Sequence, residues 1–130
     1  MDSYEVIIAG GGPAGLACAE VLAGAGVRTL LLERQQNIGG KVCAGGITWD
    51  GLIRQIPGHL IERTFTEQHI FSNRQQIRFR RPDPVIATVS REALGRWMKE
   101  QALHRGAHIR AGCRIRDIGS RTLAATDEAG

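Results

Sequence analysis

The chain has 130 residues, a length at which one domain can bury a single hydrophobic core. Its net charge of +4 mildly favours anionic ligands, but the arginines are scattered and aromatic residues make up only 5% of the sequence. This composition excludes the basic, aromatic-rich surface of a nucleic-acid-binding protein.

The sequence also bears on the cellular compartment. It has no stretch of about 20 apolar residues to cross a bilayer, and its N-terminus lacks the basic and apolar regions of a signal peptide. Its three cysteines have neither metal-ligand spacing nor the even number of a disulfide framework, which indicates a reducing compartment. We therefore expect a cytoplasmic protein, either free or peripheral to a membrane through other parts.

The first 34 residues have the pattern of a strand, a tight turn, a helix and a second strand. The apolar run Val6–Ala9 precedes a glycine fingerprint at residues 10–15, and a small-residue helix follows from about Pro13 to Ala25. The second strand, Thr29–Leu32, ends in Glu33. A lone GxGxxG is a weak signal, but a strand before it, a helix after it and a downstream carboxylate together predict a dinucleotide-binding βαβ unit.

Each part of this pattern has a physical reason when the ligand is an adenine dinucleotide. Gly10 makes the turn, Gly12 lets the backbone approach a pyrophosphate, and Gly15 lets the helix pack closely on the strand. The pyrophosphate then lies at the N-terminus of the helix, where free N–H groups and the helix dipole meet it. Glu33 is placed to accept hydrogen bonds from a ribose diol.

The middle of the chain interrupts this α/β rhythm. A glycine-rich loop carries Lys41 and Cys43, and residues 49–55 have the composition of a short helix before Pro57. Residues 67–89 then favour extended structure with polar turns, which predicts an inserted antiparallel β-hairpin region. Within it, Arg78, Arg80 and Arg81 are interpreted as the solvated face of a strand rather than an anion patch.

The rhythm resumes after Ser90, a suitable N-cap for a helix whose apolar positions follow helical spacing up to Gly106. A strand is expected from Ala107 toward Ile115, a shorter one over residues 122–125, and a hairpin turn over residues 126–130. The four histidines have no spacing that suggests a catalytic triad or a metal site.

Three segments together resemble the N-terminal part of the geranylgeranyl reductase family, which belongs to the FAD-dependent oxidoreductases similar to p-hydroxybenzoate hydroxylase. They are VIIAGGGPAGLACAEVLAGAGVRTLLLER, GGKVCAGGIT and VIATVSREALGRWMKEQALHRGA. The chain departs from the family at Gly95, where the later helix usually carries an acidic residue. A glycine there costs about 1 kcal/mol relative to alanine.

The resemblance implies a role for individual residues. The pyrophosphate would be contacted by Gly10, Gly12, Pro13, Ala14 and Gly15, and its phosphates or the ribityl hydroxyls by Arg91. The ribose and adenine would be contacted by Glu33 and Arg34, and the adenine also by the strand at Cys113, Arg114 and Ile115. The flavin side would be lined by Lys41, Cys43, Gly45 and Gly46. Arg91 could equally be a solvent-facing helix residue. No catalytic residue is identified except Cys43 as a candidate: its sulfur either lies near the flavin and affects substrate reduction or redox tuning, or it is a small loop residue that packs. Cys18 is expected to be a buried small hydrophobe.

The sequence thus predicts an α/β fold, with a Rossmann-like parallel sheet and a small antiparallel insertion. Full members of the family have several hundred residues, so we expect residues 1–130 to be an incomplete FAD-binding domain, inactive alone and self-associating through an unpaired strand edge. The whole enzyme would reduce isoprenoid double bonds with FAD and electrons from NAD(P)H or another donor. An FAD-dependent aromatic monooxygenase, an electron-transfer flavoprotein–quinone oxidoreductase and a non-catalytic dinucleotide-binding fragment stay open as alternatives.

Overall fold

The computed structural model describes residues 2–40, 43, 45–48 and 55–127. The chain divides into two compact units, residues 1–41 with 95–130 and residues 42–94. In chain order the elements are β1 (Val6–Ala9), α1 (Pro13–Gly24), β2 (Thr29–Leu32), β3 (Gly46–Thr48), a 3₁₀ turn (Gly58–Leu60), β4 (Ile61–Phe65), β5 (Glu67–Phe71), β6 (Gln76–Arg80), β7 (Ile86–Val89), α2 (Arg91–His104), β8 (His108–Arg110), β9 (Cys113–Ile118) and β10 (Leu123–Asp127).

The first unit contains a parallel sheet in the order β1-β2-β8. Val6 pairs with Thr29 and Leu30 with His108, so β2 lies in the centre. All four residues of β2 are buried, as expected for a parallel strand covered on both faces. Leu31 has no exposed surface, and burying a leucine side chain contributes about 1.5–3 kcal/mol. The predicted Rossmann-like sheet is confirmed.

The βαβ unit also follows the sequence prediction. The helix α1 begins at Pro13, and Leu16, Ala19 and Ala23 form its buried face. After the helix ends at Gly24, Gly26 adopts a left-handed φ of +82°. Cys18 is exposed, so its prediction as a buried residue was wrong. Its position on the helix falls outside the stripe of buried residues, and helical composition alone does not identify that stripe.

The helix α2 has the predicted N-cap. The Oγ of Ser90 accepts the Ala93 N–H at 3.3 Å, and the apolar positions Leu94, Met98 and Ala102 are buried. Gly106 follows the helix with φ +97°, as a chain reversal requires. The structure does not describe residues 49–54, on which most of the predicted short helix falls, and Gln55 lies in a turn.

The strand expected from Ala107 toward Ile115 is two strands, which corrects the prediction. Gly112 adopts φ +68° and breaks the extended run between β8 and β9. As a result, β8 joins the parallel sheet while β9 pairs antiparallel with β10. Thr126 and Asp127, expected in a turn, are the last paired residues of β10, opposite Arg114 and Cys113.

The second unit is antiparallel. One sheet has the order β3-β7-β4, and β5 pairs with β6 in a hairpin closed by the Ser72 N–H, which donates to the Gln75 carbonyl at 2.8 Å. The antiparallel insertion predicted within the α/β fold is therefore present. In the part of the chain that the structure covers, no helix is long and apolar enough to cross a membrane.

Candidate functional site

The turn between β1 and α1 is shaped by backbone contacts of its glycines. A Cβ on Gly15 would lie 2.0 Å from the Gly10 carbonyl oxygen, so the helix can approach the turn only without a side chain at that position. A Cβ on Gly12 would meet no atom within 4 Å. Gly15 is thus constrained by the fold itself, whereas the surface of Gly12 is open to a ligand.

The N-terminus of α1 has unused donors. The first helical hydrogen bond runs from the Leu16 N–H to the Gly12 carbonyl at 3.0 Å, which leaves the N–H groups of Ala14 and Gly15 without a helical acceptor. No side chain caps this end, and the first turn has no acidic residue. These are the properties of an anion site at a helix N-terminus, and they fit a pyrophosphate.

Glu33 lies beside this turn, at the end of β2. One carboxylate oxygen, Oε2, accepts the Gly11 N–H at 2.6 Å, and Oε1 accepts the Gln35 N–H at 2.8 Å. A carboxylate has about four lone-pair sites, so two hydrogen bonds leave capacity for the hydroxyls of a ribose. The two backbone donors hold the carboxylate in one orientation before any ligand arrives.

A cleft of about 370 Å³ opens next to this carboxylate in the first unit. Its lining consists of the fingerprint turn, the end of β2 and the start of β9: Gly10, Leu32, Glu33, Arg34, Cys113, Arg114 and Ile115. The fold therefore brings together five residues that the sequence selected for the adenosine side, although they are as many as 82 positions apart. The cleft can accept a flat ring between an apolar wall and two guanidinium groups.

Cys113 lines this cleft, and the sequence did not predict its surroundings. Its backbone N–H donates to the Glu33 carbonyl at 2.8 Å, so this N–H joins β9 to the end of β2. Burial, with a smaller effect of the Asp127 carboxylate, raises the pKa of its thiol above the ordinary value. The side chain packs with Leu30 and Leu32, which makes it a structural cysteine.

The remaining selected residues belong to the second unit or lie outside the described residues. Cys43 is exposed, Gly45 accepts the Val89 N–H at 3.0 Å, and Gly46 pairs with Thr88. Gly45 therefore lies beside Val89, which precedes Arg91 by two residues. The structure does not describe Lys41.

Arg91 has an unusual environment. Its Nε atom is buried and has no hydrogen-bond partner among the residues that the structure describes. A buried donor without an acceptor costs about 1–3 kcal/mol, and a bound anionic oxygen would satisfy it. This observation favours a ligand-facing Arg91 over a solvent-facing helix residue.

Sequence reasoning did not identify Gln35 as part of the site, and it gave Gly11 no role. Both act through backbone N–H groups that fix Glu33, so their side chains give no chemical signal. Their positions beside the fingerprint and beside the carboxylate could have suggested this contact. Within the described ranges, no group of three or more potential metal ligands is found.

Several proteins are similar to this chain in sequence. A thiamine thiazole synthase of Methanococcus vannielii is 42% identical over 66 residues, which is 49% of this chain and 25% of the relative. A probable electron transfer flavoprotein-quinone oxidoreductase of Escherichia coli is 31% identical over 88% of this chain and 30% of the relative. A chloroplastic geranylgeranyl diphosphate reductase of Nicotiana tabacum is 32% identical over 85% of this chain and 25% of the relative. The chain thus spans about a quarter to a third of the length of these relatives.

The fold has a counterpart among solved structures. A geranylgeranyl bacteriochlorophyll reductase-like protein from Thermoplasma acidophilum superposes with a TM-score of 0.80 at 19% identity, covering 96% of this chain and 37% of that one. At this identity the likeness establishes the fold. The sequence profile of the Thi4 family matches residues 1–92, and the relatives named above include two oxidoreductases by name, one of them an electron transfer flavoprotein-quinone oxidoreductase. The chain belongs to the Thi4 family and has the fold of the FAD-dependent oxidoreductases.

Proposed function

We propose that this chain is the FAD-binding portion of a flavin-dependent oxidoreductase that reduces carbon–carbon double bonds of an isoprenoid substrate. The observation that carries the cofactor assignment is the cleft in which the fingerprint turn, the fixed Glu33 carboxylate and the start of β9 meet. FAD supplies the hydride and electron-transfer chemistry, while the protein supplies position and polarity. The isoprenoid substrate is supported by the reductase relatives, whose similarity extends over 85% of this chain.

Several residues of the first unit would bind the cofactor. Ala14 and Gly15 would donate their unused N–H groups to the pyrophosphate, next to the open surface of Gly12. Glu33 would accept the ribose hydroxyls, and Arg34 and Arg114 would flank the adenine. In the second unit, Arg91 would offer its buried Nε to a phosphate or ribityl oxygen, and Cys43, Gly45 and Gly46 would line the flavin side. Lys41, which the structure does not describe, would line the same side.

Cofactor choice is the first test. Titration of the chain with FAD, NAD and NADP, followed by fluorescence, should give the tightest binding for FAD and the weakest for NADP. The reason is that the Glu33 carboxylate can accept a ribose diol but repels a 2′-phosphate. Tighter binding of NADP than of FAD would refute the assignment.

Substitution of Gly12 tests the location of the site. Gly12→Val places a branched side chain on an open surface, so the fold should persist while the dissociation constant for FAD rises about tenfold or more, equivalent to about 1.4 kcal/mol. Gly58→Val is the matched control, because Gly58 is also exposed with no atom within 4 Å of a Cβ, and it lies in the second unit. Unchanged FAD binding by folded Gly12→Val would place the ligand elsewhere.

The substrate is tested with the complete product of the gene that encodes this chain. With FAD and NAD(P)H, a geranylgeranyl substrate should gain two hydrogen atoms for each reduced double bond, measured by mass spectrometry. Oxygen-dependent hydroxylation of an aromatic substrate would instead identify a monooxygenase, and reduction of a quinone would identify an electron-transfer flavoprotein–quinone oxidoreductase. For the chain of 130 residues alone we expect FAD binding without turnover.

A second candidate function is thiamine thiazole synthesis. It is favoured by the Thi4 profile over residues 1–92 and by the archaeal synthase that is 42% identical over 66 residues. Expression of the complete gene product in a bacterial strain that cannot make the thiazole precursor of thiamine tests it. Growth without added thiazole would support this candidate over the reductase.

A further inference from the structure

The segment that follows Glu33 is irregular but forms much of the candidate site. Residues 34–40 contain neither helix nor strand. Arg34 lines the cleft of about 370 Å³ beside Glu33, which we call the adenosine cleft. The same segment lines an adjoining cleft of about 490 Å³. A loop that forms the wall of a binding site must be held in place by its surroundings, since it has no hydrogen-bonded ladder of its own.

The beginning of this segment is held by backbone hydrogen bonds. The Glu33 N–H donates to the Arg110 carbonyl at 2.9 Å, and the Glu33 carbonyl accepts the Cys113 N–H at 2.8 Å. The Gln35 carbonyl accepts the Gly112 N–H at 3.2 Å. These bonds attach residues 33–35 to the ends of β8 and β9.

The far end of the segment lies directly against α2, at Gly95. A Cβ on Gly95 would lie 2.8 Å from the Gly39 Cα, 3.1 Å from the Gly39 nitrogen and 3.3 Å from the Ile38 carbonyl carbon. All three are backbone atoms, so no change of side-chain rotamer can relieve the overlap. Ile38, beside this contact, is 8% exposed and anchors the loop.

Gly95 is unfavourable for the helix itself. It lies in the interior of α2, where alanine would give a more stable helix, and it is buried. The close contact with Gly39 explains the glycine, because any side chain at this position would displace the loop.

We propose that Gly95 is a positioning residue for the adenosine cleft. Because Gly95 has no side chain, the backbone of Ile38 and Gly39 packs directly on α2, and we call this contact the Gly95 seat. Together with the hydrogen bonds at residues 33–35, the seat fixes the loop that carries Arg34. This inference rests on the proposed function for the identity of the ligand, while the seat itself is a property of the protein alone.

The test compares two glycine-to-alanine substitutions in helices. Gly95→Ala should displace the loop, whereas Gly24→Ala near the end of α1 is the matched control, because a Cβ there would make an ordinary contact of 3.4 Å with the Arg105 side chain. A second variant, Ile38→Val, removes one methyl group from the anchor and guards against a Gly95→Ala protein that does not fold. Circular dichroism selects a temperature at which each variant is folded.

Two measurements are made on the full chain. Amide hydrogen exchange at Gly112 and Gln35 should be about tenfold faster in Gly95→Ala, somewhat faster in Ile38→Val and unchanged in Gly24→Ala, while the amides of the β1–β2 pair stay protected. The dissociation constant for AMP should rise about fivefold in Gly95→Ala at the same temperature, which a loss of global stability alone would not cause.

The outcomes separate this inference from the proposed function. If folded Gly95→Ala, or Ile38→Val where Gly95→Ala does not fold, exchanges at Gly112 and Gln35 at the wild-type rate, the positioning role is wrong. If exchange rises but binding of AMP by that variant is unaffected, the seat does not serve the cleft, and the inference also fails. If wild-type protein binds neither AMP nor FAD, the proposed function fails, and the exchange rates still decide whether Gly95 seats the loop.

Discussion

Glu33 combines a structural role with a place in the proposed ligand site. Its carboxylate joins the fingerprint turn to the segment after β2 by accepting the N–H groups of Gly11 and Gln35. Hydrogen bonds to a charged acceptor contribute about 1.5–3 kcal/mol each, more than neutral ones. The same residue that would recognise the ribose therefore also holds the site together.

We predict that Glu33→Gln lowers the free energy of unfolding by about 1–3 kcal/mol, because the amide has one acceptor oxygen and turns an NH₂ group toward a backbone donor. It should also weaken AMP binding and reduce discrimination against NADP. Denaturant unfolding and nucleotide titration measure the two effects. Glu62→Gln, on an exposed strand of the second unit, is the control, and equal stability of the two variants would contradict the structural role.

The three cysteines differ in accessibility. Cys18 and Cys43 are exposed, whereas Cys113 is buried and its thiol has a raised pKa, which lowers its thiolate fraction. We predict that a thiol reagent near neutral pH labels Cys18 and Cys43 in the native chain and labels Cys113 only after unfolding. Mass spectrometry of labelled peptides measures this, and rapid native labelling of Cys113 would show that its packing with Leu30 and Leu32 is wrong.

At the scale of elements, the β5–β6 hairpin carries a charged cluster that the sequence did not reveal. Glu67 lies within 2.6 Å of the His69 Nε2 and 2.7 Å of an Arg78 guanidinium nitrogen. The cluster forms because His69 and Arg78 are directly opposite each other across the strand pair, and Glu67 is two residues from His69 on the same face. Arg78, expected on a solvated face, is indeed exposed, but it is paired.

This cluster predicts a pH dependence. The Arg78 guanidinium, followed by His69, lowers the pKa of Glu67 from 4.5 to about 2. Because the folded value lies below the unfolded one, its contribution to stability is present above about pH 4.5 and is lost as the pH falls toward about 2. Thermal unfolding over this range should show a smaller fall in Tm for Glu67→Gln than for the wild type. High salt should reduce the difference, because the groups are exposed.

At the scale of the whole molecule, the described residues leave β10 paired on one side only, with β9. An unpaired strand edge is a template for pairing with another chain. We predict that the chain of 130 residues self-associates, binds FAD weakly and purifies largely colourless. Light scattering gives its mass, and absorbance gives its flavin content.

Ala124→Lys on exposed β10 should reduce this self-association, since lysine on a strand edge disfavours edge-to-edge pairing. Ala17→Lys on the exposed side of α1 introduces the same charge elsewhere and serves as the control. A yellow and monomeric wild-type chain would contradict this prediction. Equal association of both variants would place the contact away from β10.

Much of the first unit could be read from the sequence. β1, α1 and β2 occur where the fingerprint and the apolar runs predicted them, and Ser90 caps α2 as expected. The errors have a common cause. The break at Gly112, the exposure of Cys18 and the pairing of Asp127 depend on which neighbour each residue meets, and local pattern does not encode that neighbour.

The sequence by itself determined which residues make up the candidate dinucleotide site, because the glycine spacing, the helix start and the carboxylate of Glu33 are local features with a strict physical meaning. Tertiary structure alone decided how that site is held. It directed the Gly11 and Gln35 N–H groups at the carboxylate, brought β9 beside β2 and seated Gly39 on Gly95. These contacts are made by backbone atoms, which every residue carries, so their partners are fixed only when the chain has folded.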